Sequence, residues 1–300
     1  MESISRDFYE LKFEISFLKK TSQEFEDFFS EIMEKRHKGG DFIRVRPWGN
    51  TGDRKNDGYL KSQRRLFQVY APNEMTAADA LKKINEDYHG AIPHWEKYFD
   101  HWEFVHNSRR GLSPQVLELI LELDEHHESI SVDHFGYESL RTKFFELAEE
   151  DIISLVGRAP TSNSFNGLGF ADFKTLLGHM VVTGLPDSTD LRPVPENKLE
   201  INEFSELIES LIRFGLKKTQ VVRGFFNKWP DVNYGDLVTN SINEEYLRLK
   251  EEGIHQDLIF QRLREYVIGG LVITPEIDAA SLVLLAYFFE ECDIFERERS

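Results

Sequence analysis

Between residues 53 and 70 the sequence reads DRKNDGYLKSQRRLFQVY, setting Asp53 and Asp57 in a turn, Lys55, Lys61, Arg64 and Arg65 around them, and Gln68 in a short apolar segment. Hard oxygen donors gathered at one end of a sheet can hold Mg²⁺ with several waters retained, and a nearby cation can steady a phosphodiester under attack. Strand alternation points Gln68 and Tyr70 to one face. Glu26, in the helical stretch FEDFF, offers a third oxygen donor. Each residue has a plainer use. Asp57 before Gly58 is a good turn former, and Gln68 suits a strand residue bonded to a neighbour. Glu26 stands among Glu24, Asp27 and Glu31, where any carboxylate suits a solvated face.

The elements that must position these residues follow from periodicity. SQEFEDFFSEIMEKR (22–36) spaces Phe25, Phe28, Phe29, Ile32 and Met33 as an amphipathic helix behind a Ser22 cap, closed by Gly39 and Gly40. DFIRVRP and RLFQVYA read as strands, each ended by a proline, followed by a helix over 76–88 with a Thr cap, a strand over 102–106, a helix over 114–126 and a strand over 129–135. The segment from Tyr137 to Gly157 reads as continuing helix. Such alternation predicts an α/β domain with a partly parallel sheet flanked by helices over 1–158. Residues 159–198, rich in turn formers and holding three prolines between 185 and 198, read as a linker around a short helix at FADFKTLLGHMVVTG. Residues 199–300 show only helical periodicity and predict an all-α module. Its last helix is apolar on nearly every face, which suits the centre of that module or an oligomer interface.

Charge is unevenly spread. Residues 35–65 hold ten lysines and arginines against three aspartates, a local +7 in a chain of net −17. A basic patch on an acidic body fits a protein that meets a polyanion at one place, with Arg44, Arg46, Arg54, Lys61, Arg64 and Arg65 as candidate DNA contacts. A solvated charged surface is the plainer reading. No apolar run is long enough to span a bilayer and the N-terminus resembles no targeting peptide, so a soluble, cytoplasmic protein is expected, with no membrane partner. Cys292, the lone cysteine, rules out an internal disulfide framework and reads as a buried thiol. His94, His101, His106, His126, His127 and His134 cluster without zinc-ligand spacing, and no nucleotide-binding loop or serine elbow occurs.

Taken in order, Glu26 in FEDFF, GDRKNDGY and FQVYAP resemble the nuclease domain of the PD-(D/E)xK, or restriction-endonuclease-like, superfamily found in effectors of bacterial ABC three-component defence systems, which include Lamassu. That superfamily supplies a helix carboxylate, a turn aspartate and a (D/E)-x-K pair on the next strand. PENKLEINEFSEL and LAYFFEECDIFE are similar to the helical C-terminal domains of the same effectors.

The resemblance implies a restriction-endonuclease-like mixed sheet and a DNA endonuclease using Mg²⁺ or Mn²⁺. Asp57 and Gln68 would ligate the metal, Glu26 would complete the shell or orient a water, and Asp53 is a weaker candidate. It further implies restraint by an SMC-like or ABC ATPase subunit, a small accessory subunit, and activation on release or as a homo-oligomer on double-stranded DNA. Tyr70 departs from the pattern, because it fills the lysine slot without a permanent charge at neutral pH. Lys55 or Lys61 could take that place. If neither does, the site could bind metal and DNA without cutting, and the chain would be a nuclease-fold adaptor linking the ATPase to other subunits.

Overall fold

The computed structural model describes residues 1–47, 53–127, 129–178, 198–291 and 294–295; Cys292 and residues 179–197 of the expected linker lie outside the described residues. Two compact units divide the chain, one of Lys12–Gly157 and the other of Met1–Leu11 with Arg158–Ser300. Helix α1 (Ser3–Lys19), whose periodicity the sequence reading passed over, contributes residues to both.

The Lys12–Gly157 unit continues with α2 (Ser22–Arg36), β1 (Phe42–Arg44), β2 (Gly58–Leu60), β3 (Arg65–Tyr70), α3 (Ala77–Trp95), β4 (His101–His106), α4 (Pro114–His126), β5 (Ser131–Phe135), α5 (Tyr137–Phe145) and α6 (Glu149–Val156). Local chemistry explains most starts. Thr76 accepts a hydrogen bond from Asp79 N at 3.1 Å, and Ser113 accepts one from Val116 N at 3.4 Å ahead of Pro114 at the first helical position. In α2 the N-cap position falls on Thr21, whose side chain makes no capping hydrogen bond, with Ser22 already helical, which corrects the expected cap by one residue. The expected single helix after Tyr137 breaks at residues 146–148, where Glu149, Glu150 and Asp151 favour a new positive helix start.

The five strands form one mixed sheet in the order β1-β2-β3-β4-β5, antiparallel from β1 to β3 and parallel from β3 to β5. One face meets α2, where Phe29 lies 6.0 Å from Phe42 and 5.4 Å from Phe67 between ring centres. The other face, with Leu66, Trp102, Phe104 and Val132, is covered by α3 and α4 through Ile84, Tyr88, Val116 and Ile120. The start of β2 and the carboxyl ends of β3, β4 and β5 therefore share one edge, the usual place for ligands in an open α/β sheet.

The second unit is helical among its described residues: α7 (Ser162–Asn166), α8 (Phe170–Leu177), α9 (Lys198–Ile201), α10 (Glu206–Leu216), α11 (Gln220–Lys228), α12 (Tyr234–Glu251), α13 (Gln256–Ile268) and α14 (Pro275–Glu291). Helix α14 buries every residue from Ile277 to Ala286 and is the centre of this unit. It approaches α10 at Gly215, where an added Cβ would stand 2.7 Å from the Ala286 Cβ.

Candidate functional site

The ladder between β2 and β3 pairs Gly58 with Phe67, so one step further Asp57 faces Gln68 across the two strands on the face covered by α3. Both side chains are nearly enclosed, at 6% and 4% exposure. Gln68 Nε2 donates to Asp57 Oδ2 at 2.7 Å, and the Val69 N–H donates to the same oxygen at 2.7 Å. With Oδ2 doubly held, the amide oxygen Gln68 Oε1 is buried without a hydrogen-bond partner. A buried amide oxygen left in this state costs free energy and invites a cation or a water.

Burial pushes the Asp57 carboxyl up to about 7, against the Val69 N–H that stabilises its anion; Glu26 and Asp53 add to the rise and Lys83 opposes it. Glu26, on α2, is itself raised chiefly by burial, opposed by a hydrogen bond from Gln23 and aided by Asp27 and Asp53. Three carboxylates thus share one field. Among the described residues no three His, Cys, Asp or Glu side chains are arranged to hold a metal, so the donors brought together are one carboxylate and one amide oxygen, with Glu26 acting at longer range.

The loop into Asp57 is tightly determined. The Lys55 N–H donates to Asp53 Oδ1 at 2.8 Å, Trp95 Nε1 donates to the Arg54 carbonyl at 3.1 Å, and Arg54 and Lys55 both take left-handed backbone angles (φ 55° and 63°). Successive non-glycine residues in that region are strained and persist where surrounding contacts fix them. Asn56, fully buried, has neither amide atom hydrogen-bonded.

Cations near this site come from α3 and from the loop before β2 rather than from β3. Lys55 Nζ lies 2.8 Å from Asp87 Oδ1 and Lys83 Nζ lies 2.9 Å from Asp87 Oδ2, with Asp87 fully buried. The bond to Asp87 raises the Lys55 ammonium, and Lys83 lends positive charge to Asp57. Sequence reasoning missed Lys83 and Asp87, whose i, i+4 spacing on an amphipathic helix resembles any surface pair. Tyr70 shares the face of Gln68 but packs on Phe104 at 6.0 Å, and burial holds its phenol protonated. Lys61 sits at the far end of β2, where its N–H bonds the Asp41 carbonyl at 3.0 Å.

Half of the expected DNA contacts already meet carboxylates. Arg44 pairs with Asp27 at 2.8 Å and Glu34 at 3.3 Å, Arg64 with Asp100 at 2.7 Å, and Arg65 with buried Glu103. Arg46, Arg54 and Lys61 are exposed.

Residues 171–296 match the family model of C-terminal domain 10 of the ABC-three component (ABC-3C) systems. The match supports membership of the chain in an ABC-three component defence system. The matched segment takes in nearly all of α8 and the whole of α9 to α14, so it falls within the helical unit. The chain has no match among curated proteins or among solved structures. No helix among its described residues is long and apolar enough to cross a membrane.

Proposed function

We propose that the Lys12–Gly157 unit of this ABC-3C component is a divalent-metal-dependent DNA endonuclease. One observation carries the reading: a buried amide oxygen without a partner, Gln68 Oε1, stands beside a carboxylate pushed up to about 7 by burial and by its acidic neighbours. Mg²⁺ or Mn²⁺ suits that donor set, because a hard cation takes both oxygens and removes the cost of ionising Asp57. Asp57 and Gln68 would hold the ion, and Glu26 would complete its shell or orient a water. When bound, such an ion polarises a phosphoryl oxygen and makes water a better nucleophile.

The chain's own groups do the rest. Gln68 Nε2 and the Val69 N–H fix the Asp57 carboxylate. Lys55 and Lys83, bridged by Asp87, supply the positive charge that Tyr70 cannot. Arg46, Arg54 and Lys61 are the exposed cations left to meet a DNA backbone. The same reading gives the helical unit the task of docking on an SMC-like or ABC ATPase subunit and a small accessory subunit, with Lamassu-like release or oligomerisation switching the nuclease on; the ABC-3C domain match supports the multi-subunit part of it.

A silent nuclease-fold adaptor is favoured by the packing of Tyr70 on Phe104 and by the absence of a third ligand at close range among the described residues. Incubating plasmid with the assembled complex and Mg²⁺ or Mn²⁺ separates the two. The nuclease linearises or degrades it and Asp57→Ala abolishes the loss, whereas an intact plasmid in every sample leaves the adaptor.

A further inference from the structure

At the carboxyl ends of β4 and β5 a cavity of about 240 Å³ opens between the loop after β4 and the start of α5. At about 30 Å³ per liquid water it has room for roughly eight waters, or for a phosphoryl group with part of its hydration. Two cations, Arg109 and Arg110, line it together with the hydroxyl-bearing Ser108 and Ser139. Arg109 is pinned over the Tyr137 ring at 3.7 Å, with its Nε 3.3 Å from Glu14. Arg110 is exposed and pairs with no described carboxylate. The one acid on the rim, Glu138, faces Arg141 at 3.7 Å.

The cavity floor is built for donors. Ser108 N–H, which can only donate, reaches His106 Nδ1 at 3.3 Å, so the proton of this buried ring sits on Nε2 and points to His134 Nδ1, 3.3 Å away. His134 therefore offers its Nε2–H. Burial, with His134 beside it, pushes His106 down to about 4 and keeps it neutral. Gly136 permits this arrangement, because a Cβ there would stand 2.8 Å from His106 Nε2. As the N-cap of α5, Gly136 also has no side chain to cap the first turn, whose residues Glu138 and Ser139 line the same cavity.

We infer that this cavity is a phosphoryl-anion site, in which Arg110, the His134 imidazole and the first-turn amides of α5 bind the non-bridging oxygens. Strands β3 and β5 are two spacings apart, about 10 Å, so a nucleic-acid strand crossing this edge of the sheet would place one backbone phosphate here and another by Asp57 and Gln68. The diester as occupant rests on the proposed nuclease function; the affinity for a phosphoryl anion does not.

The test uses the full chain in chelator-containing buffer, titrated calorimetrically with inorganic phosphate and separately with a short DNA duplex. Wild type and Asp57→Asn bind phosphate alike, and Arg110→Ala, exposed and expected to keep its melting temperature, weakens it by about ten- to a hundredfold, as loss of a charge-assisted hydrogen bond does. If Arg110→Ala also weakens the duplex and lowers its salt slope by about one, the occupant is a backbone phosphate. If the duplex is unaffected, the occupant is a free phosphate compound. Absence of saturable phosphate binding, equal binding by Arg110→Ala, or loss of phosphate binding in Asp57→Asn overturns the site. Failure of plasmid cleavage alone touches only the nuclease reading.

Discussion

Replacing Asp57 by asparagine removes a charge that its surroundings resist while keeping the acceptor bonded by Gln68 Nε2 and the Val69 N–H. The native carboxyl sits at about 7 against an ordinary 3.8, so the folded state holds its proton more tightly than the unfolded chain. The resulting cost to stability is absent below about 3.8, grows as pH rises, and is complete above about 7, with a ceiling of ~4 kcal/mol. Asp57→Asn escapes it and should be more stable than wild type by about 1 to 4 kcal/mol at pH 8, and no more stable at pH 4. Glu103, also raised to about 7 by burial, titrates in both proteins and cancels in the difference. Saturating Mg²⁺ should shift the difference at pH 8 towards wild type by about 2.7 kcal/mol, the stabilisation from a ligand at a hundred times its Kd, because the variant has lost its anionic ligand. Urea unfolding followed by tryptophan fluorescence reads this, in a Trp229→Phe background that removes the one tryptophan outside the Lys12–Gly157 unit. A variant no more stable than wild type at pH 8 without metal, or a difference that ignores pH, would refute the reasoning.

Asp87→Asn leaves Lys55 and Lys83 facing each other across a buried amide; it should cost about 2 kcal/mol in the same assay, below the 3 to 5 of a fully buried broken pair because both lysines are partly exposed. Gly215→Ala forces α10 from α14 and should destabilise the helical unit by about 1 to 3 kcal/mol, seen as a lower melting temperature of the transition reported by Trp229. For DNA binding, joint replacement of Arg46, Arg54 and Lys61 by alanine should lower the slope of log affinity against log salt by up to about 3. Replacing Arg44, already held by Asp27 and Glu34, should leave that slope unchanged.

Periodicity and caps made much of the sheet unit legible. Thr76 and the phenylalanines of α2 mark their helices because capping and burial are local choices written into short windows. The three-residue strand β2 was hidden, since N-D-G followed by Tyr59 and Leu60 reads equally as a turn. Alternation put Gln68 and Tyr70 on one face, and the structure has them there. What it could not reveal was that Phe104, from a strand 34 residues beyond Tyr70, packs on that tyrosine. Asp57 and Gln68 stood out in the sequence because a carboxylate in a turn and a polar residue in an apolar strand each break a local pattern, and the structure places the two side by side. Lys83 and Asp87 break none, and only the fold places them beside Lys55. The committed states of Arg44, Arg64 and Arg65 were likewise invisible, because their partners Glu34, Asp100 and Glu103 come from other elements.

The central claim is that Asp57 and Gln68 together hold a divalent cation, and a structure of the full chain determined with saturating Mn²⁺, using the ion's anomalous signal, tests it most directly. The account predicts Mn²⁺ bound by the Asp57 carboxylate and by Gln68 Oε1, and no ion there in Asp57→Asn. An empty site at saturating Mn²⁺, with Gln68 Oε1 bonded to a protein donor instead, would contradict it.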